Sequence, residues 1–397
     1  MRIVALHTDF RIYWPARWKA LATELKKNGH ELYVVEIAGK GSPYSFASQQ
    51  DEDDSLNWHI LFPHDSPEQL SGKTIEQRLF PLLKSISPQV IIAGAIAFPS
   101  GALAVKWGMR HGTRIIIFDD AKWSSVRRSR LVNFIKKSVY AGADALFLPA
   151  YPWEQTGKFW GFDHQQLFYG VDVVDNGFWA TPDNTPSEYG DYLIAVGRQI
   201  PVKNFSTLLK AYSQYCSNYY GQRAYRLVLV GDGPMRQELE KFISDHELAK
   251  MVILLPFKTQ FELRSLFQRA RALCLPSYSE TWGLVINEAM AAGCAIIASN
   301  ECGASEVLVK DGVNGFTFPS DNVEALAACL DKFHKLDRKE FDGMRNASKN
   351  IIADWGVARF VTGALDAIGY VYSHPKRSCS LLQKFIITHW RGQYRPV

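Results

Sequence analysis

The 397-residue sequence predicts an α/β protein of two doubly wound domains, each a parallel sheet covered by helices. Three observations carry that expectation. Short apolar runs alternate with helix-length amphipathic stretches in two separate series. Between the series, from Val171 to Tyr192, the composition turns to Asp, Asn, Thr, Pro and Gly, with no apolar period. The length also exceeds that of one ordinary domain.

In the first series, Ile3–Leu6 reads as a strand, Trp14–Asn28 as a helix stopped by Gly29, and Leu32–Ile37 as a second strand. Val90–Ala93, Arg114–Phe118 and Ala145–Leu148 continue the strands, separated by helices over Leu103–His111 and Leu131–Tyr140. Gly39–Lys73, rich in Ser, Asp, Gln and Pro, reads as an irregular excursion. In the second series, strands Tyr192–Val196, Arg226–Val230, Met251–Leu255, Ala272–Leu275 and Ala295–Ala298 alternate with helices. Those helices are Phe205–Ser217, Met235–Asp245, Phe261–Arg269 and Leu284–Ala292. The expected division is a first domain over 1–172, a linker over 173–190, a second domain over 191–360 and a terminal helical segment over 361–397.

Hydrophobic residues make up 47% and charged residues 21%, which excludes intrinsic disorder and fibrous classes. The formal net charge of +5 is too small to argue for nucleic acid and agrees with an anionic partner. Six cysteines without a C-x-x-C pair point away from a disulfide framework and a zinc site. No apolar run approaches the ~20 residues of a membrane-spanning helix, and MRIVALHTDF turns polar too early for a signal-peptide core. The expected setting is cytoplasmic, with any membrane contact peripheral.

The segment Ser277-Tyr-Ser-Glu280-Thr-Trp-Gly283-Leu-Val-Ile-Asn-Glu288 runs from a strand end through a loop into a helix, whose first amides and positive dipole end suit a phosphate. Glu288, about one turn inside the helix, has the reach to accept hydrogen bonds from ribose hydroxyls. The alternative is that Glu280 complements the helix dipole and Glu288 is a solvated helix residue. Gly197-Arg198-Gln-Ile-Pro-Val-Lys203-Asn204 brings two cations to the end of the first strand of the same domain, a planar fork and a compact charge that together suit a leaving diphosphate. They also read as surface cations flanking a turn. Val230-Gly231-Asp232-Gly233-Pro234 is a strand-to-helix turn with a proline placed to open the helix, and need be no more than that. It is not the G-x-G-x-x-G fingerprint of dinucleotide oxidoreductases.

This ordered set, continued through Leu275-Pro-Ser277, Gly303-Ala-Ser-Glu306 and Asn314-Gly315, resembles the retaining, nucleotide-sugar-dependent glycosyltransferases of family 4. The resemblance covers most of the second half of the chain. It implies the GT-B fold: two Rossmann-like domains facing a central cleft, with C-terminal helices crossing back to the first domain. It implies Arg198, Lys203 and Glu280 as catalytic groups, the cations on the donor diphosphate and Glu280 on the transferred sugar. It further implies donor contacts from Gly197, Asn204, Gly231, Thr281, Trp282, Gly283, Leu284 and Glu288, with Pro256 and Phe257 lining the base pocket. Trp282 stands where Phe is usual in the family, and Cys294-Ala295 where Pro-Val is common. The implied activity is sugar transfer from a nucleotide-diphosphate sugar to a glycan or lipid-linked acceptor in cell-envelope or exopolysaccharide assembly. No metal or other cofactor is expected. Two alternatives stand beside it: a nucleotide-sugar epimerase or phosphorylase on the same fold, and a non-catalytic membrane-associated scaffold.

The first half departs from the family, which usually carries a glycine-rich turn after its first strand and often a His-Asp pair. Here the corresponding stretches are His7-Thr-Asp9-Phe-Arg11 and Phe118-Asp119-Asp120, so Asp9, Arg11, Asp119 and Asp120 are the acceptor-side candidates. The adjacent aspartates equally suit a helix cap or strand end. Lys122–Lys137 holds six Lys or Arg and no Asp or Glu, interleaved with Trp123, Val126, Leu131, Val132, Phe134 and Ile135. Lys376–Arg391 is again basic and amphipathic. The first suits an anionic membrane surface, the phosphates of a lipid-linked acceptor or ordinary helix packing, the second a membrane surface or core packing, and exposure of the apolar side chains separates packing from the rest.

Overall fold

Strands of a parallel sheet are buried on both faces and so read as short unbroken apolar runs. The computed structural model places those runs in two sheets and describes residues 1–40, 56–183, 188–219 and 224–393. Residues 1–173 with 357–397 form one compact unit, and residues 174–356 the other.

In the first unit, β1 (Arg2–His7), β2 (Glu31–Ala38), β3 (Asn57–Phe62), β4 (Val90–Ala93), β5 (Arg114–Phe118), β6 (Ala145–Leu148) and β7 (Leu167–Tyr169) lie in the order β3-β2-β1-β4-β5-β6-β7. Every pairing is parallel. The connecting helices are α1 (Trp14–Lys27), α2 (Gly72–Ile86), α3 (Pro99–His111), α4 (Arg130–Tyr140) and α5 (Glu154–Phe159). The excursion expected over Gly39–Lys73 contains β3, while its residues 41–55 lie outside the described residues. As an edge strand, β3 is only partly buried and keeps Asn57 and His59 in its sequence, which hides its period. Helix α3 starts at Pro99, four residues before the apolar pattern begins at Leu103. Proline suits a first helical turn, and the small Ser100, Gly101 and Ala102 behind it carry no amphipathic signal.

In the second unit, β8 (Tyr192–Val196), β9 (Arg226–Val230), β10 (Val252–Leu255), β11 (Ala272–Leu275), β12 (Ala295–Ser299) and β13 (Gly315–Phe318) are ordered β10-β9-β8-β11-β12-β13, again all parallel. The helices are α6 (Asn176–Ala180), α7 (Phe205–Asn218), α8 (Arg236–Asp245), α9 (Gln260–Arg269), α10 (Leu284–Ala291), α11 (Gly303–Leu308), α12 (Val323–His334) and α13 (Arg338–Ala353). The stretch 173–190, read as a linker, holds α6 inside this unit. Asp175 caps it, and Trp179 is buried with its ring 5.8 Å from that of Phe267. Residues 184–187 of that stretch lie outside the described residues. At the end of β9, Gly231 has φ +136°, and a Cβ there would stand 2.0 Å from the Gly197 carbonyl oxygen, so only glycine lets these two turns meet.

The chain returns to the first unit at Val357, ahead of the expected 361, as α14 (Val357–Ser373) and α15 (Leu381–His389). Helix α14 packs on α1 and on β5–β7. Its Phe360 is fully buried, its ring 5.2 Å from Trp18 and 5.4 Å from Phe147. Beyond α14, Lys376 Nζ pairs with Asp144 at 3.1 Å and the Arg377 amide donates to the same carboxylate at 3.0 Å. Helix α14 thus completes the core of the first unit. Replacing Phe360 with Ala removes an aromatic ring from that core and is expected to cost about 3–5 kcal/mol, read by urea denaturation. A loss below about 1 kcal/mol would contradict this role for α14.

Candidate functional site

Doubly wound sheets leave a crevice beyond the carboxyl ends of the two strands where the strand order reverses. In the second unit those strands are β8 and β11. The turns that follow them carry the sequence-identified cations and carboxylate, and their geometry is set by backbone wiring. Gly197 N donates to Val230 O at 3.0 Å and Gln199 N to Asp232 O at 2.7 Å, which zips the turn after β8 to the turn after β9. The fully buried Gln199 side chain adds a bond from Nε2 to Gly231 O at 2.9 Å. A short 3-10 turn, Pro201–Lys203, then leads to Asn204, whose φ of +55° and ψ of +35° are left-handed. Asparagine tolerates that conformation. Its buried amide donates to Pro276 O at 3.0 Å and to Ser320 O at 2.7 Å, tying the turn after β8 to the turns after β11 and β13.

This wiring brings Lys203 and Glu280, far apart in sequence, into a direct ion pair between Lys203 Nζ and Glu280 Oε1. Both are mostly buried, with side chains 18% and 15% exposed. Ser277 Oγ donates to the same carboxylate oxygen at 2.8 Å. The Glu280 backbone is held as well: its amide donates to Glu301 O at 3.2 Å and its carbonyl accepts from Gly303 N at 3.2 Å. Two residues on, Trp282 is buried, donates from Nε1 to Asn287 Oδ1 at 2.9 Å and stacks on Trp355 with ring centroids 5.5 Å apart. Tryptophan here is therefore a wedge fixing the loop between Glu280 and α10.

Helix α10 begins after Gly283, which has φ +98°, and no side chain caps it. The first amides of a helix have no intrahelical acceptor, so this end presents donors and a positive dipole beside the Lys203–Glu280 pair. Leu284, the first residue of α10, is half-buried, and Thr281 is exposed. Glu288 is 3% exposed, which removes the reading of a solvated helix residue. Arg198 lies half-buried in the turn after β8, next to Gly197. Pro256 and Phe257 stand exposed after β10, the edge strand two places from β8, and the intervening turn is tied to β10 by a bond from Gly231 N to Leu255 O at 3.1 Å. The structure thus joins Lys203 directly to Glu280, and Gly197 and Asn204 to the same framework. Gly231 has a steric requirement of its own. Gln199, Ser277 and Asn287 were missed as functional side chains because small neutral groups within a motif carry no charge signal; the polar residue directly after Leu275-Pro276 was the available hint.

In the first unit the acceptor-side candidates fall at carboxyl strand ends but pair locally. Arg11 forks onto Asp9, with Nε to Oδ1 at 2.9 Å and Nη2 to Oδ2 at 2.6 Å. Asp119 accepts from Tyr140 Oη at 2.6 Å and from Ala121 N at 3.0 Å, and the Asp120 carbonyl accepts from Trp153 Nε1 at 2.7 Å. Around them sit buried titratable groups. Burial pushes His7 down to about 4, and burial with the nearby Asp9 charge pushes Glu36 up to about 7. Burial, reinforced by Asp120, pushes Asp172 up to about 8. Among the described residues no group of three His, Cys, Asp or Glu side chains is arranged to hold a metal ion.

Residues 181–351 match the family model described as "Glycosyl transferases group 1", a span that lies within the second unit. The chain is 26% identical over 168 residues to the putative colanic acid biosynthesis glycosyltransferase WcaL of Salmonella typhimurium, an alignment covering 41% of this chain and 40% of that protein. It spans about 40% of the length of the curated relatives it matches. Among solved structures, a glycosyltransferase from Rickettsia africae superposes with a TM-score of 0.73 at 15% identity, covering 94% of this chain and 98% of that one. HepE of Anabaena in complex with UDP superposes at 0.70 and 17% identity, covering 93% and 100%. The fold is therefore GT-B, with two parallel-sheet Rossmann-like domains.

The buried acid generates a pH prediction. Folded Asp172 holds a proton that the unfolded chain releases above about pH 4, so its contribution to stability falls as the pH rises from about 4 to about 8. Asp172→Asn removes that slope, and the gap in Tm between variant and parent should move several degrees in the variant's favour between pH 5 and pH 8. A pH-independent gap would contradict the protonated buried carboxyl.

Proposed function

We propose that this chain is a glycosyltransferase that moves a sugar from a nucleotide-diphosphate-sugar donor to a glycan or lipid-linked acceptor, with retention at the anomeric carbon, in envelope polysaccharide assembly. The observation that carries the reading is the Lys203–Glu280 pair beside the uncapped start of α10 at the strand-order reversal of the second unit. The family match over that unit, the colanic acid name of one relative and the UDP bound to HepE support it.

In this reading Lys203, Arg198 and the first amides of α10 hold the donor diphosphate, Glu280 positions the sugar and Glu288 takes the ribose. The bond from the anomeric carbon to the β-phosphate oxygen breaks, and its electron pair leaves on the diphosphate. The acceptor oxygen forms the new bond on the same face, and its proton passes to the departing phosphate oxygen. Charge grows on the diphosphate as the bond lengthens, so preorganised donors at that spot bind the transition state more strongly than the ground state. Glu280 is not a covalent nucleophile in this scheme; its carboxylate is shared between Lys203 and Ser277. Pro256 and Phe257 offer an exposed surface for the base, and Asp9, Arg11, Asp119 and Asp120 remain the acceptor-side proposals. Protein cations neutralise the leaving group, and no metal or further cofactor has a role.

The test is product analysis with a panel of nucleotide sugars and polyprenyl-linked or oligosaccharide acceptors, with anomeric configuration read by proton NMR. One donor should give transfer with retention, and Lys203→Ala should lower kcat/KM by about 2–4 kcal/mol, some 30- to 1000-fold, with the fold intact. A folded Lys203→Ala variant with parental turnover would sink the assignment of that residue, and an inverted product would sink retention. Sugar rearranged without an acceptor, or released by inorganic phosphate, would mark an epimerase or phosphorylase instead.

A further inference from the structure

Among the described residues, fourteen large apolar side chains are exposed, and eight of them fall on two short stretches of the first unit. Trp123, Val126, Leu131, Val132 and Phe134 lead into and along α4, at 39–66% exposure, and Leu381, Leu382 and Phe385 lie on α15, at 56–85%. The two helices pack against each other, which sets these exposed residues on neighbouring helices. Docking of α15 has other anchors. It is held by the buried Ile387, which lies close to Gly142 beside Val105, by Trp390 Nε1 donating to Ile96 O at 2.8 Å, and by Arg391 Nε on Glu76 at 3.1 Å.

The charges within these two stretches have one sign. Neither 121–143 nor 367–393 contains an Asp or Glu. Arg127, Arg130 and Lys137 beside α4 and Lys384 on α15 are all exposed. No helix among the described residues is long and apolar enough to cross a membrane. We propose that the combined α4–α15 surface seats the first unit on an anionic lipid bilayer, with Leu131, Phe134, Leu382 and Phe385 inserted at the headgroup boundary and the flanking cations on lipid phosphates. Apolar side chains flanked along both stretches by cations and by no carboxylate match the chemistry of an acidic interface, where each element alone binds weakly and the two together bind firmly. The inference stands on unit 1 alone and does not rest on the donor site of unit 2.

The test is flotation of the full chain with vesicles of pure phosphatidylcholine and of an equimolar phosphatidylcholine–phosphatidylglycerol mixture. Binding to the anionic vesicles should exceed that to phosphatidylcholine by at least about tenfold and weaken with salt. Two variants altering only exposed positions, one Phe134→Ser with Phe385→Ser and the other Arg127→Glu with Arg130→Glu, should each lose about tenfold or more. A charge-matched control on α1, Lys26→Glu with Lys27→Glu, should bind as the parent. Equal binding to both vesicles, or parental binding by either surface variant, overturns the proposal. A dimer in sedimentation velocity that dissociates on Phe134→Ser with Phe385→Ser, without vesicle binding, would assign the surface to a second copy of the chain and overturn it too.

Discussion

Reversal of strand order between β8 and β11 is the constraint on which the chemistry of the second unit depends. Crossovers on the two sides of that point diverge, so the turns leaving these strands face open space in place of a neighbouring connection. Two buried amides then decide what stands there. Gln199 holds the β8 turn to the β9 turn, and Asn204 holds it to the β11 and β13 turns. Each satisfies backbone carbonyls that would otherwise be buried without partners, a loss of about 1–3 kcal/mol apiece. The position of Lys203 against Glu280 is a consequence of this wiring.

The ion pair has two faces. It neutralises two groups brought partly out of water. It also places a cation beside the free end of α10, where an anion would gain both the charge and the helix amides. Ser277 gives Glu280 a second donor, so the carboxylate would keep a partner if Lys203 turned to an anion. The pair can thus loosen on anion binding without leaving a buried charge bare.

Much of this was legible in the sequence. The four strands that flank the two reversal points, β1 and β4 with β8 and β11, are apolar over most of their length because both faces are buried, and their runs stand out. Edge strand β3 and the short β7 do not, since partial burial and three-residue length leave no period. Lys203 and Glu280 were legible as charges at strand ends. Their contact was not, because it is set by Asn204 and Gln199, whose neutral amides look like ordinary turn residues. For Glu288 two readings stood open, a ribose contact and a solvated helix residue, and its burial removes the second. The exposed apolar face of α4 was visible as an amphipathic pattern, but only the three-dimensional neighbours show that it faces away from the core.

The central claim, that the Lys203 corner of the second unit binds the diphosphate of a nucleotide, is tested most directly by titration calorimetry with UDP, GDP, ADP and TDP. The parent, Lys203→Ala and Glu280→Gln would be compared with whichever nucleotide binds most tightly. Loss of a charge-assisted contact to phosphate should weaken Lys203→Ala by about 1.5–3 kcal/mol, more than tenfold in Kd. Glu280→Gln, which frees Lys203 from its carboxylate, should bind as tightly as the parent or more so. Unchanged affinity in folded Lys203→Ala, or binding lost in Glu280→Gln alone, would contradict the account.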